Sequence, residues 1–203
     1  MDNKEYLEQI SASVRPATKS KGKGILSSPI FKISVIGIIA FILIAILGAV
    51  LTGGRPSIKD ETIELQLYVS STMKAISDYQ SDLKSSNLRS HSASLGSILS
   101  NTSRDLTNYL ESTYGSAKPS STAESDEQLH LDGLESDLFE AKINGILDRI
   151  YAHKMAYEIS MIMSRESSIY ERVSDSSFRT KLESSYNSLD TLYTEFNEFS
   201  ETN

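Results

Sequence analysis

The fold class predicted by the sequence is all-α: one N-terminal transmembrane helix followed by an extracytoplasmic antiparallel four-helix bundle. Three observations predict it. Ile33 to Leu51 form a charge-free apolar run, apolar residues beyond Gly53 recur three and four apart, and a few short breaker clusters divide that later stretch. The chain therefore divides into a leader over 1–28, a span over 29–52 and a helical domain over 53–203.

The run reads ISVIGIIAFILIAILGAVL, broken only by Ser34, Gly37 and Gly48. At about 1.5 Å per residue such a helix reaches roughly 30 Å, the thickness of a bilayer core. Its bulk comes from Ile33, Val35, Ile36, Ile39, Phe41, Ile42, Leu43, Ile44, Ile46, Leu47, Val50 and Leu51, so the lipid bilayer is the first partner. Ser27-Ser28-Pro29 suits a helix start, and Thr52-Gly53-Gly54-Arg55-Pro56 releases it. A buried core helix and a cleaved signal peptide are the competing readings. The first is disfavoured by the uniformly apolar circumference. Against the second, the leader is long, the run exceeds an ordinary signal-peptide core, and no Ala-x-Ala follows.

Charge sets the orientation. Six basic residues (Lys4, Arg15, Lys19, Lys21, Lys23, Lys32) and three acidic ones (Asp2, Glu5, Glu8) precede the span, leaving 14 basic and 24 acidic beyond it. The positive-inside rule then puts the N-terminus in the cytoplasm and the C-terminal domain outside. In the Ser-, Lys- and Gly-rich leader, Arg15, Lys19, Lys21, Lys23 and Lys32 form a basic group at the inner surface, where Lys32 can snorkel to the headgroups. Ala45 and Ala49 are small residues one turn apart, which makes a homo-oligomer a further partner to consider.

The outer domain opens at Ser57, with Asp60 and Glu61 in the first turn, where negative charge suits the helix dipole. Its stripe is Ile58, Leu65, Val69, Ile76, Tyr79 and Leu83. Ser85-Ser86-Asn87 is the expected turn, with a continuous bent helix as the alternative. Leu88, Leu95, Leu99, Leu106 and Leu110 line the second helix, which should stop at Gly115. The stretch Gly115 to Asp126 is a loop with the strongest breaker composition outside the membrane edge, and Ser125 with Gln128 suits a short helix before an Asp132-Gly133 turn. A long third helix then carries Leu134, Leu138, Ala141, Ile146, Ile150, Met155, Ile159 and Ile162, with Gly145 inside it. The last helix, over 176 to 200, follows Ser174-Asp175-Ser176 and aligns Phe178, Leu182, Tyr186, Leu189, Tyr193, Phe196 and Phe199. The expected core is Leu65, Val69, Ile76, Leu83, Leu95, Leu99, Leu106, Leu138, Ile146, Ile150, Ile159, Phe178, Leu182, Leu189 and Phe196. Burying these stripes against one another gives the bundle.

Composition narrows the function. With 20 Lys+Arg against 27 Asp+Glu the net charge is -7, which opposes nucleic acid as a partner. Zero cysteines remove disulfides, thiolate zinc sites and cysteine nucleophiles. Glu127 and His130 form one Glu-x-x-His, half of what a bundle di-metal site needs, so they are the only metal candidates. His91 and His153 have no carboxylate on their own helix faces. Ser20-x-x-Lys23, Ser71-x-x-Lys74 and Ser81-x-x-Lys84 match a serine-nucleophile pattern, but 36 serines and 12 lysines produce such matches by chance. No nucleophile elbow, zincin motif or dinucleotide fingerprint is present. Asn101-Thr102-Ser103 is a formal glycosylation sequon.

The architecture resembles the uncharacterised, membrane-anchored ferritin-like helical-bundle proteins of bacterial envelopes. The likeness rests on Asp148-Arg149-Ile150-Tyr151 with Met155 in the long helix and on Leu182, Leu189 and Leu192 in the last, over residues 58 to 200. It implies a fold and no activity, since most histidines that such relatives carry on these helices are absent. The resulting expectation is a non-enzymatic module with no cofactor, acting in protein interaction or cell-envelope organisation through an unknown extracytoplasmic protein or envelope component. A sensory or small-ligand-binding bundle signalling through the span, and a ferritin-like metal-binding bundle, are the alternatives.

Overall fold

The computed structural model describes residues 56–115 and 118–202 of the 203-residue chain. The apolar run Ile33–Leu51 and the basic residues Arg15, Lys19, Lys21, Lys23 and Lys32 lie outside the described residues. Among the described residues no helix is long and apolar enough to cross a membrane.

The described residues are all-α, with five helices and no strand: α1 (Ile58–Tyr79), α2 (Ser86–Tyr114), α3 (Ser121–Ile143), α4 (Leu147–Arg172) and α5 (Ser176–Thr202). A single 3-10 turn, Gln80–Asp82, joins α1 to the Ser85 region. A break between the first two helices is therefore present, but earlier than expected: it falls at 80–85, and Ser86 and Asn87, expected in the turn, already belong to α2.

Most helix starts are written in hydroxyl and carboxylate side chains. The backbone N–H of Asp60 donates to Ser57 Oγ at 3.1 Å, that of Leu88 to Ser85 Oγ at 3.3 Å, and that of Ala123 to Ser120 Oγ at 3.1 Å. Asp175 does the same for α5, accepting from Phe178 N–H at 2.9 Å. Each satisfies a donor that the first turn leaves without an intrahelical partner.

Two expectations are corrected here. The stretch Gly115 to Asp126 is not loop throughout, because Ser120 caps a helix that starts at Ser121 and runs straight through Asp132 and Gly133. The long helix expected from Leu134 to Ile162 is two helices. Gly145 adopts φ 73°, its N–H donates to Lys142 O at 3.2 Å, and Ile146 N–H donates to Ala141 O at 3.0 Å. That is a Schellman ending, which uses the left-handed backbone that glycine adopts without a Cβ penalty. Ile146, expected in the core, is instead 41% exposed, because the turn carries it off the stripe. Ile150 is only partly buried, packed at the core's edge. In α5, Tyr186 and Tyr193 are exposed, so its apolar stripe is narrower than the spacing suggested.

The remaining expected core residues, from Leu65 and Val69 through Leu95, Leu99 and Leu138 to Leu189 and Phe196, are buried in one cluster. Each fully buried Leu contributes about 2 kcal/mol of transfer free energy. Helix α1 packs on α2, α2 on α5, α5 on α4, and α4 back on α1, while α3 contacts both α1 and α4. Tyr109 stacks on Phe178 with ring centroids 3.9 Å apart, joining α2 to the first turn of α5. The closed ring of contacts leaves two seams, α1/α3/α4 and α4/α5, and both carry the polar groups described next.

Candidate functional site

Helix α4 sets the site because its inward stripe is not wholly apolar. Tyr151, Met155, Ile159, Ile162 and Ile169 are fully buried, and among them Glu158 and Glu166 are only 2% and 1% exposed. A carboxylate at such positions is costly unless it is paired or protonated. The two glutamates meet that cost differently.

Glu158 is paired. His130, on α3, stands between two carboxylates: its Nδ1 lies 2.9 Å from Glu127 Oε1, and its Nε2 lies 3.3 Å from Glu158 Oε1 and 3.2 Å from Glu158 Oε2. Hydrogen bonds to Glu127 and then Glu158 push the imidazole up to about 9, so at neutral pH both ring nitrogens carry protons and donate. Tyr68 of α1 stacks on the imidazole, with centroids 4.6 Å apart and planes 15° from parallel. Burial, and then the Glu158 charge, push the Tyr68 phenol above its usual value. Arg165 covers the Tyr68 ring at 4.9 Å and lies 3.7 Å from Glu64. A cleft of about 330 Å³ opens beside these groups, bounded by Glu64 and Tyr68, Glu127 and His130, and Tyr157 and Arg165.

The structure thus brings Glu127 and His130 together, as their spacing indicated, but as an ion pair completed by Glu158. The carboxylates approach opposite nitrogens of one ring, so a single ion could not take all three ligands. Among the described residues no group of three or more His, Asp or Glu is placed to hold a metal ion. Sequence reasoning missed Glu158, Tyr68 and Arg165. The signal for Glu158 was available: it falls three residues after Met155 and four before Ile162, in the middle of an apolar stripe. Tyr68 and Arg165 carry no comparable signal.

Glu166 is unpaired, with no hydrogen-bond partner at either buried carboxylate oxygen. Burial pushes it up to about 8, offset in part by the nearby Ser185 hydroxyl. That hydroxyl is engaged with Thr102 Oγ1 at 2.7 Å. A second cleft, of about 230 Å³, lies beside Glu166 between α4 and α5.

The other histidines are peripheral. His91 meets Glu195 of α5 at 2.7 Å, a partner from another helix that its own helix face could not disclose, and His153 is exposed. Thr102, the middle residue of the sequon Asn101-Thr102-Ser103, is buried mid-helix and donates to Ile98 O at 3.1 Å. The third buried polar group of α4, Tyr151, shares a hydrogen bond of 2.5 Å with Ser92 inside the core. The chain matches no protein-family model, no curated protein and no solved structure.

Proposed function

We propose that the protein is a single-pass membrane-anchored module, with its N-terminus in the cytoplasm and its helical bundle on the extracytoplasmic side, where it works by binding rather than by catalysis. The observation that carries this reading is the charge-free run Ile33–Leu51 between a basic leader and an acidic domain. The bundle supports the binding half. The reactive groups at the α1/α3/α4 seam are committed to one another, His130 to Glu127 and Glu158, and Arg165 to Tyr68 and Glu64. None of these side chains is a nucleophile held against a base.

In the leading form of this reading the head organises envelope components by protein interaction. The two clefts favour a second form, a sensory or small-ligand-binding head, because a bundle built only for rigidity has no use for an unpaired buried carboxylate such as Glu166 beside one of them. Protease treatment of intact cells tests the shared topology. Digestion of the domain beyond Gly54 with protection of the leader is expected; protection of the domain until the cells are lysed would overturn it.

A further inference from the structure

Glu166 is the least explained group in the fold. Its carboxylate lies in the seam between α4 and α5 with neither oxygen hydrogen-bonded, although every other buried polar residue of α4 has a partner. An isolated buried acid costs several kcal/mol when ionised and contributes nothing to packing that Gln or Met would not. The beside-lying cleft is lined by Glu166, Ser167 and Tyr170 of α4 and by Leu182, Glu183 and Tyr186 of α5. Two glutamates and two tyrosines line it, the Glu166 oxygens themselves being buried at its wall, and no Lys, Arg or His lines it. Arg179 lies over the Tyr170 ring at 4.4 Å and is not part of the lining.

This lining is the complement of a small organic cation. Glu166, protonated while the seam is empty, supplies the counter-charge once it gives up its proton to solvent, in a desolvated seam where a charge-assisted hydrogen bond is strongest. Leu182 and the tyrosine rings receive an alkyl stem and, through their π faces, the edge of the charge. A hard divalent ion fits poorly, since it takes about six to eight oxygen ligands and only Glu166 and Glu183 offer carboxylates here.

We propose that the α4/α5 cleft is a binding site for a primary alkylammonium ion, with Glu166 as the buried acid that releases its proton to solvent and becomes the counter-ion as the cation enters, and Glu183 as a secondary, solvent-side contact. The inference rests on the binding half of the reading above and not on its topology, so a failed topology test leaves the inference standing and a failed binding test leaves the topology standing. The ammonium could belong to a free amine or to a lysine side chain of another protein, and the chemistry is the same.

The test uses the full chain in detergent micelles, with the methyl resonances of Leu182 followed as n-butylammonium, n-butanol or butyrate is added. A saturable shift with n-butylammonium is expected, with n-butanol and butyrate at least about tenfold weaker. Glu166→Gln preserves the side-chain shape and should weaken n-butylammonium binding by about tenfold or more; Glu183→Gln should weaken it by only a few-fold. Equal binding of n-butanol, unchanged binding by Glu166→Gln, or a wild-type Leu182 that does not respond to n-butylammonium would each overturn the proposal. The n-butanol comparison needs no variant, so it holds even if a substitution perturbs folding. A blocked lysine analogue, Nα-acetyl-lysine methylamide, then distinguishes the sources: tighter binding than n-butylammonium points to a protein side chain, and weaker binding to a free amine.

Discussion

Gly133 and Gly145 look alike in the sequence, each a breaker after a polar residue, and the backbone gives them opposite meanings. Gly133 sits inside α3, and a Cβ added there would meet nothing within 4 Å. Gly133→Ala should therefore raise stability by about 0.5–1 kcal/mol. Gly145 holds φ 73° at the end of the same helix, and Gly145→Ala should lower stability by about 1 kcal/mol or more through backbone strain. Urea unfolding of the two variants checks both signs. Glu166 belongs to this scale too. Its value is raised from 4.5 to about 8 by burial, so between those limits the folded protein keeps a proton that the unfolded chain releases. Stability contributed by this group falls as pH rises through that window and stays low above it, by on the order of a few kcal/mol. Glu166→Gln should flatten the fall, as read by thermal unfolding at pH 5 to 9. Both buried acids of α4, Glu158 and Glu166, were legible in principle, because a glutamate in an apolar stripe is a local conflict visible without coordinates. Which one found a partner was not, since that depends on residues 28 positions away for Glu158 with His130.

At the scale of elements, hydroxyl caps and apolar periodicity located α1, α2 and α5 well, because each begins at a side chain able to accept from its own first turn. The middle of the chain misled. Asp132-Gly133 carries turn chemistry but stays helical, since the stripe Leu131, Leu134, Leu138 and Ala141 continues across it and its burial outweighs one glycine. Asn144-Gly145 ends the helix because the stripe changes face there, with Ile146 exposed and Leu147 buried. Asp148, in the first turn of α4, stabilises a distant junction. Its two carboxylate oxygens accept from the backbone N–H groups of Lys84 and Ser85 at 2.9 and 2.7 Å, fixing the connection between α1 and α2. Asp148→Ala leaves those donors without a protein partner and should cost about 1–2 kcal/mol, measurable as a lowered urea midpoint. The same seam logic gives His130 its role. Hydrogen bonds to Glu127 and Glu158 raise it from 6.5 to about 9, so its stabilising contribution is complete below 6.5 and lost as pH rises through 9. The ring is partly exposed, which keeps the contribution to about 1 kcal/mol or less. His130→Gln should remove the part of the pH dependence that lies between those values.

At the scale of the whole molecule, the five helices of the described residues bury their stripes in one cluster, and α4 carries the two buried carboxylates, Glu158 and Glu166. The proposed anchor and the acidic head suit each other physically, since 14 basic against 24 acidic residues beyond the apolar run, a net charge of -10, favour keeping the head in water and away from anionic headgroups. The topology has an unusually direct test because the chain contains no cysteine. Single cysteines can replace Ser13 in the leader and the exposed Ser125 on α3, and each can be challenged in intact cells with a membrane-impermeant maleimide. With the head outside and the leader inside, Ser125→Cys is labelled at once and Ser13→Cys only after permeabilisation. Labelling of Ser13→Cys in intact cells with Ser125→Cys protected, or protection of both, would contradict it.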